Sequence, residues 1–235
     1  MARGLAQAGA KVYLLGRRRE ALEELQRILA ADGLDAVAEP FDVTDPQAGE
    51  AFFQRLATDE GRLDVLVNNA YGVDPAAADP FTAAFDVTVA SAHRIAHQAR
   101  ALLRAAGGRT QGASVINIAS MYGMVSPDLR IYTDSPPNPA FYGPAKAGLL
   151  QLTRYLAAEF APDNIRVNAI SPGPFPAPAS QARFPELMAR LKDKVPLGRI
   201  GKPEELIGAV TFLASDASSY VTGANLPVDG GWTAW

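Results

Sequence analysis

The chain has 235 residues, 48% hydrophobic and 20% charged, with a net charge of −3, which suits one α/β domain with a sizeable core. It contains no cysteine, so disulfides, thiolate catalysis and cysteine-ligated metals are excluded. Its one basic run, Arg17-Arg18-Arg19, is too short for a phosphate-binding face, and no apolar stretch reaches a membrane span. Neither nucleic acid nor membrane is therefore an expected partner, and a cytoplasmic location is the default.

In chain order, Met1 to Ala8 reads as a short amphipathic helix, followed by a turn at Gly9 and a strand over 11–15 (KVYLL). A crossover helix normally leads from one strand to the next, yet here no strand precedes it. The pattern then predicts a helix over 18–32, a strand over 36–43, a helix over 46–59 and a strand over 64–70. A helix over 80–106, a strand over 114–120, a helix over 140–160 and a strand over 165–171 follow. A helix over 203–213 and a strand over 225–229 complete the series. Several strands are continuous apolar runs, as expected when both faces are covered. The expected fold is a doubly wound parallel sheet, Rossmann-like, in a single domain over 1–235. Two long segments break the alternation: 121–141, rich in Pro, Asp and Ser, and 172–205, rich in Pro with a short helix inside. Both follow carboxyl ends of strands, where open α/β sheets bind ligands.

Tyr142 and Lys146 form Y-x-x-x-K at a helix start, which places phenol and ammonium on one face a turn apart. A nearby cation favours phenolate and so prepares a tyrosine for acid/base work. Ser120 ends a strand near that helix and is placed to hydrogen-bond a substrate oxygen. His93 and His97 share a helix face, but no third ligand lies nearby in sequence, so a solvated or interface face is expected rather than a metal site.

The segments VNNA (67–70), NIAS (117–120), YGPAKAG (142–148), IRVNAISPG (165–173), PLGRIGKPEE (196–205) and VTGANLPVDGG (221–231) occur together in this order. In that order and rough spacing the chain resembles the short-chain dehydrogenase/reductase family over residues 1–231. Through SMYG, NPAFYG and ISPGPFP it is most similar to the sugar-acid and polyol branch, the gluconate dehydrogenase-like enzymes. The resemblance implies that Tyr142 is the general acid/base, that Lys146 lowers its pKa and holds the nicotinamide ribose, and that Ser120 orients the substrate. It also implies that Asn68, Asn69 and Ala70 lie beside the adenosine, that Asp42 and Val43 cap the adenine, and that Pro172 and Gly173 pass the nicotinamide, with the next loop as substrate lid. At the end of the 11–15 strand, an acidic residue would read the ribose of NAD and an arginine the 2′-phosphate of NADP. Gly16 stands at that position, followed by Arg17 and Arg18, so NADP is expected, with NAD as the alternative. Family members pair through the helices matching 80–106 and 140–160, which implies a homodimer or homotetramer.

Four departures from the family pattern stand out. Tyr71, followed by Gly72, replaces the usual Gly after NNA, and a bulky side chain there narrows the site or covers the cofactor. Thr88 replaces an Asn that props the catalytic Lys through a water, which weakens or reroutes that relay. The Ser120-to-Tyr142 stretch is longer than usual. Its Tyr122, Arg130 and Tyr132 are either contacts for a polar substrate or part of a surface or subunit-contact loop. Finally, the family's first strand and its TGxxxGIG turn, which carries the pyrophosphate, are not in the sequence. Without that central strand a gap of roughly 9.5 Å separates two unpaired edges, and weak cofactor affinity and low stability are expected of the 235-residue polypeptide. Three readings follow. The sequence is an incomplete copy of an active NADP-dependent enzyme; or it is a non-catalytic relative serving as a binding or structural subunit; or another segment or chain closes the gap and leaves weak activity.

Overall fold

The computed structural model describes residues 1–107 and 112–235. Six parallel strands form two sheets. β1 (Val12–Gly16) pairs with β2 (Ala36–Pro40), Tyr13 opposite Val37. The second sheet runs β3 (Val65–Asn68), β4 (Ala113–Ile118), β5 (Ile165–Pro172) and β6 (Asn225–Val228). The strand positions agree with the sequence pattern, except that β2 stops at Pro40 instead of continuing to Val43. The reason is local: Asp42 accepts hydrogen bonds from Thr44 N (2.9 Å) and Thr44 Oγ1 (2.7 Å), turning the backbone out of the ladder. The two sheets are unjoined where the expected gap falls, between β1 and β3. Among the described residues, neither strand has a partner on its inner edge.

Helices cover both faces. On one face, α1 (Ala2–Gln7) lies against α9 (Leu206–Ala214) so closely that a Cβ on Gly4 would sit 2.4 Å from Ile207 Cγ2. On the other, α3 (Pro46–Asp59) and α5 (Ser91–Gly107) pack beneath the division between the sheets. A chain of edge-to-face aromatic contacts runs from Tyr13 to Phe52 to Phe41 and Phe53, so the core stays continuous where the backbone ladder does not. Asp-Pro pairs start two helices. Asp45 caps α3, accepting from Gln47 N and Ala48 N, and Asp79 caps α4 (Pro80–Phe85), accepting from Thr82 N.

The helix expected over 80–106 is not a single regular helix. Between α4 and α5 the backbone forms a π-helical turn over Asp86–Ala90, a device that shifts side-chain register by one residue. Beside it runs α6 (Tyr142–Phe160), where Gly148 allows close approach: a Cβ there would lie 3.2 Å from Val89 and 3.3 Å from Phe85. The 172–205 segment holds two short helices rather than one, α7 (Pro178–Arg183) and α8 (Pro185–Lys194), each with proline in its first turn, where the missing N–H costs nothing. α2 (Arg19–Ala31) covers the β1–β2 pair.

Candidate active site

Ser120, Tyr142 and Lys146 converge at the carboxyl end of β4. The Lys146 ammonium is buried and donates to the Ile118 carbonyl at 2.7 Å. Ser120, 6% exposed, accepts from Tyr122 N at 3.1 Å, which fixes its hydroxyl at the start of the 121–123 turn. That turn is seated on α6 by two glycines. A Cβ on Gly123 would lie 2.9 Å from the Lys146 carbonyl carbon, and one on Gly143 would lie 2.9 Å from the Tyr122 oxygen. No larger residue lets the serine turn and the tyrosine–lysine helix meet this closely.

The electrostatics differ from the simple expectation that Lys146 holds Tyr142 low. Burial is the larger influence: it raises the Tyr142 phenol above its ordinary value, while the neighbouring Ser120 hydroxyl favours the phenolate. Burial likewise lowers the Lys146 ammonium to about 8. The ammonium turns toward Ile118 and lies 5.8 Å from the centre of the Tyr142 ring, beside it rather than at its oxygen.

Thr88 lies in the π turn, 3% exposed, and its Oγ1 has no hydrogen-bond partner. A buried hydroxyl of this kind is a natural water site. Tyr71, after β3, meets Tyr142 edge-to-face with ring centres 5.0 Å apart, and Lys146 Nζ lies 5.4 Å from its ring centre.

The residues expected at the adenosine end lie around the division between the sheets. Gly16 ends β1. The Arg17 guanidinium reaches the loop after β3, where a Cβ on Gly72 would lie 3.3 Å from it, and Arg18 is exposed. Thr44 holds the Asp42 carboxyl below its usual range, with a smaller contribution from Arg17. The Val43 carbonyl accepts from Arg94 at 2.7 Å, tying this loop to α5. Asn69 and Ala70 are exposed, whereas Asn68 turns into the sheet and donates to Asn117 at 2.8 Å. Pro172 ends β5, and Gly173 N donates to Val228 O at 3.0 Å; a Cβ on Gly173 would lie 2.5 Å from Asp229 Cα.

The long 121–141 segment packs on α8. Tyr122, Ile131, Met188, Leu191 and Trp232 form one buried cluster, against which Tyr142 packs. The Tyr122 and Tyr132 hydroxyls bond each other at 2.9 Å, and Arg130 forks onto Asp128 in solvent. Lys194 pairs with Asp128 at 2.6 Å, while Arg190 donates to Ile131 O at 2.7 Å and pairs with Asp134. This loop is therefore tied to α8, and of its three candidate contacts only the two tyrosines lie near the site.

A family model described as enoyl-(acyl carrier protein) reductase matches residues 1–233. The chain is 34% identical to the rhamnolipids biosynthesis 3-oxoacyl-[acyl-carrier-protein] reductase of Pseudomonas aeruginosa, covering 99% of this chain and 90% of that one. The chain belongs to the short-chain dehydrogenase/reductase family. It is also 36% identical to the galactitol 2-dehydrogenase (L-tagatose-forming) of Cereibacter sphaeroides, covering 99% of this chain and 89% of the relative. A gluconate 5-dehydrogenase from Burkholderia cenocepacia, solved in complex with NADP and tartrate, superposes with a TM-score of 0.85 at 30% identity. That match covers 100% of this chain and 89% of the other.

Some features of this short-chain dehydrogenase/reductase site go beyond the roles read from its motifs. Asn117, fully buried in β4, accepts from Asn68 and donates to Thr153 Oγ1 at 2.9 Å, which locks β3, β4 and α6 together beneath the site. A polar residue inside the apolar run SVINI is the signal that marks it. The seating role of Gly123 and the brace from Arg190 leave no such signal, because both depend on which segments meet. His93 and His97 stack at 4.2 Å, and His97 bonds Glu159 at 2.9 Å. Among the described residues no group of three or more His, Cys, Asp or Glu could hold a metal.

Proposed function

We propose that the protein interconverts a secondary alcohol and a ketone on a small polar substrate, a sugar acid or polyol, using NADP, with NAD as the alternative. The convergence of Ser120, Tyr142 and a buried Lys146 at one strand end carries this reading. The chain's residues suit the cofactor at both ends. Arg17, with Arg18 and without a carboxylate at Gly16, matches a 2′-phosphate, while Tyr142 and Lys146 match a ribose. Asp42, Val43, Asn69, Ala70, Pro172 and Gly173 line the span between them. When bound, the cofactor would supply a hydride as NADPH in reduction and accept one as NADP⁺ in oxidation. Ser120 holds the substrate oxygen, and Tyr142 donates its proton to that oxygen in reduction and withdraws it in oxidation. Lys146 holds positive charge beside the phenol, and Thr88 offers a hydroxyl to a bridging water.

The reading extends to assembly. Phe85 on α4 and Tyr155 on α6 are 40% and 61% exposed, and a groove of about 640 Å³ opens between Phe85, Val89, His93 and Leu152. These apolar surfaces support a homodimer or homotetramer. No helix among the described residues is long and apolar enough to cross a membrane, and we place the protein in the cytoplasm as a single-domain enzyme.

A second reading, a non-catalytic binding or structural subunit, is favoured by one observation: the sheet divides between β1 and β3, beside the span a pyrophosphate would occupy. A panel of sugar acids and polyols with NADP⁺ and NAD⁺, and of their keto forms and β-ketoacyl thioesters with NADPH and NADH, separates the two. Turnover of a sugar acid or polyol supports the enzyme reading, whereas absence of turnover across the panel, with a folded protein, favours the second.

A further inference from the structure

On the β3 side of the site stands Tyr71, 39% exposed, whose ring lies against both Tyr142 and Lys146. It meets the Tyr142 ring at 5.0 Å between centres and 85° between planes. Lys146 Nζ lies 5.4 Å from the Tyr71 ring centre, within the range at which an aromatic ring attracts a cation. Building on the enzyme reading above, we propose that Tyr71 is a positioning residue: its ring braces Tyr142 and keeps the Lys146 ammonium charged beside it.

The surroundings of Lys146 make such a partner necessary. From β4 it receives one carbonyl, that of Ile118, and from its own helix it has the Tyr142 ring. Beyond Tyr142, Ser120 and the bonded pair Tyr122 and Tyr132 are neutral donors or acceptors, and Thr88 brings a hydroxyl from the π turn. No carboxylate among the described residues shifts its titration, and burial alone lowers it to about 8. An ammonium so placed loses its proton readily, and with it the charge that favours the Tyr142 phenolate. The electron-rich face of Tyr71 opposes that loss without adding a charge of its own. The Tyr71 phenol stays neutral at working pH, since burial and Tyr142 push it up to about 12.

The test follows the ¹³Cε resonance of Lys146 in lysine-labelled protein, identified by its disappearance in Lys146→Met. In Tyr71→Leu, which keeps an apolar cover but removes the ring, the Lys146 midpoint should fall by about half a pH unit. Tyr71→Phe should restore the wild-type midpoint. In the same Leu variant kcat should drop about three- to tenfold with KM for the substrate little changed. A Lys146 midpoint that stays put or rises in Tyr71→Leu overturns the proposal, because a ring serving only as an apolar cover is replaced by leucine without lowering it. The enzyme reading fails separately: a midpoint that falls as expected with no turnover across the panel leaves the brace standing and removes the enzyme, while full turnover by Tyr142→Phe removes only Tyr142 from catalysis.

Discussion

The four-stranded half and the two-stranded half of this molecule are built differently. In the β3–β6 half, Asn68, Asn117 and Thr153 form a satisfied chain below the site, and Gly123 and Gly143 seat the serine turn on α6. The β1–β2 ladder has no pairing with the other sheet among the described residues. It is tied to that sheet by the aromatic series around Phe52, by Arg94 on the Val43 carbonyl and by α1 packed on α9. Backbone contacts thus seat Ser120, Tyr142 and Lys146, whereas Arg17 and Arg18 beside the division between the sheets are exposed side chains. Tertiary contacts between backbones fix positions more rigidly than surface arginines do, so the two halves should respond differently to small changes.

The largest effect is expected at the seat of the serine turn. Gly123→Ala forces a methyl group onto the α6 backbone and displaces Ser120 from Tyr142. kcat should fall about a hundredfold, as misplacement by an ångström does, and steady-state kinetics checks it. Next comes Lys146. Its folded pKa is depressed to about 8 from 10.5, so its burial costs stability below pH 8 and that cost is relieved as pH rises toward 10.5. Relative to Lys146→Met, wild-type unfolding free energy should increase across this window by an amount on the order of 2 kcal/mol, measured by denaturant titration at fixed pH values. In the other half, Arg17→Ala should weaken NADPH binding about tenfold and leave NADH binding nearly unchanged, as read by cofactor fluorescence. The smallest effect belongs to Asp45→Ala, which removes the α3 cap and should cost about 1 kcal/mol without altering kcat. If Asp45→Ala impaired turnover as much as Gly123→Ala, the division of labour between the halves would be broken.

Much of this was legible in the sequence, for physical reasons. Continuous apolar runs place the strands to within a few residues because strands buried on both faces tolerate little else. The i, i+4 spacing of Tyr142 and Lys146 survives directly because α6 begins at Tyr142. What escaped depends on competition between local and tertiary terms. Asp42 bonds Thr44 instead of extending β2, and the π turn around Thr88 interrupts a helix with no proline or glycine near the turn to mark it. The long 121–141 segment reads as a loop of open role, and its packing on α8 depends on Arg190, distant in sequence. The unpaired edges of β1 and β3 were expected from the order of elements, since a crossover helix with no strand before it leaves a place in the sheet unfilled.

The most direct test of the account is turnover by Tyr142→Phe against wild type, using the substrate that the panel identifies, alongside NADPH binding by both proteins. The account predicts a loss of at least about a hundredfold in kcat with cofactor binding nearly unchanged. Full turnover by the phenylalanine variant would contradict it.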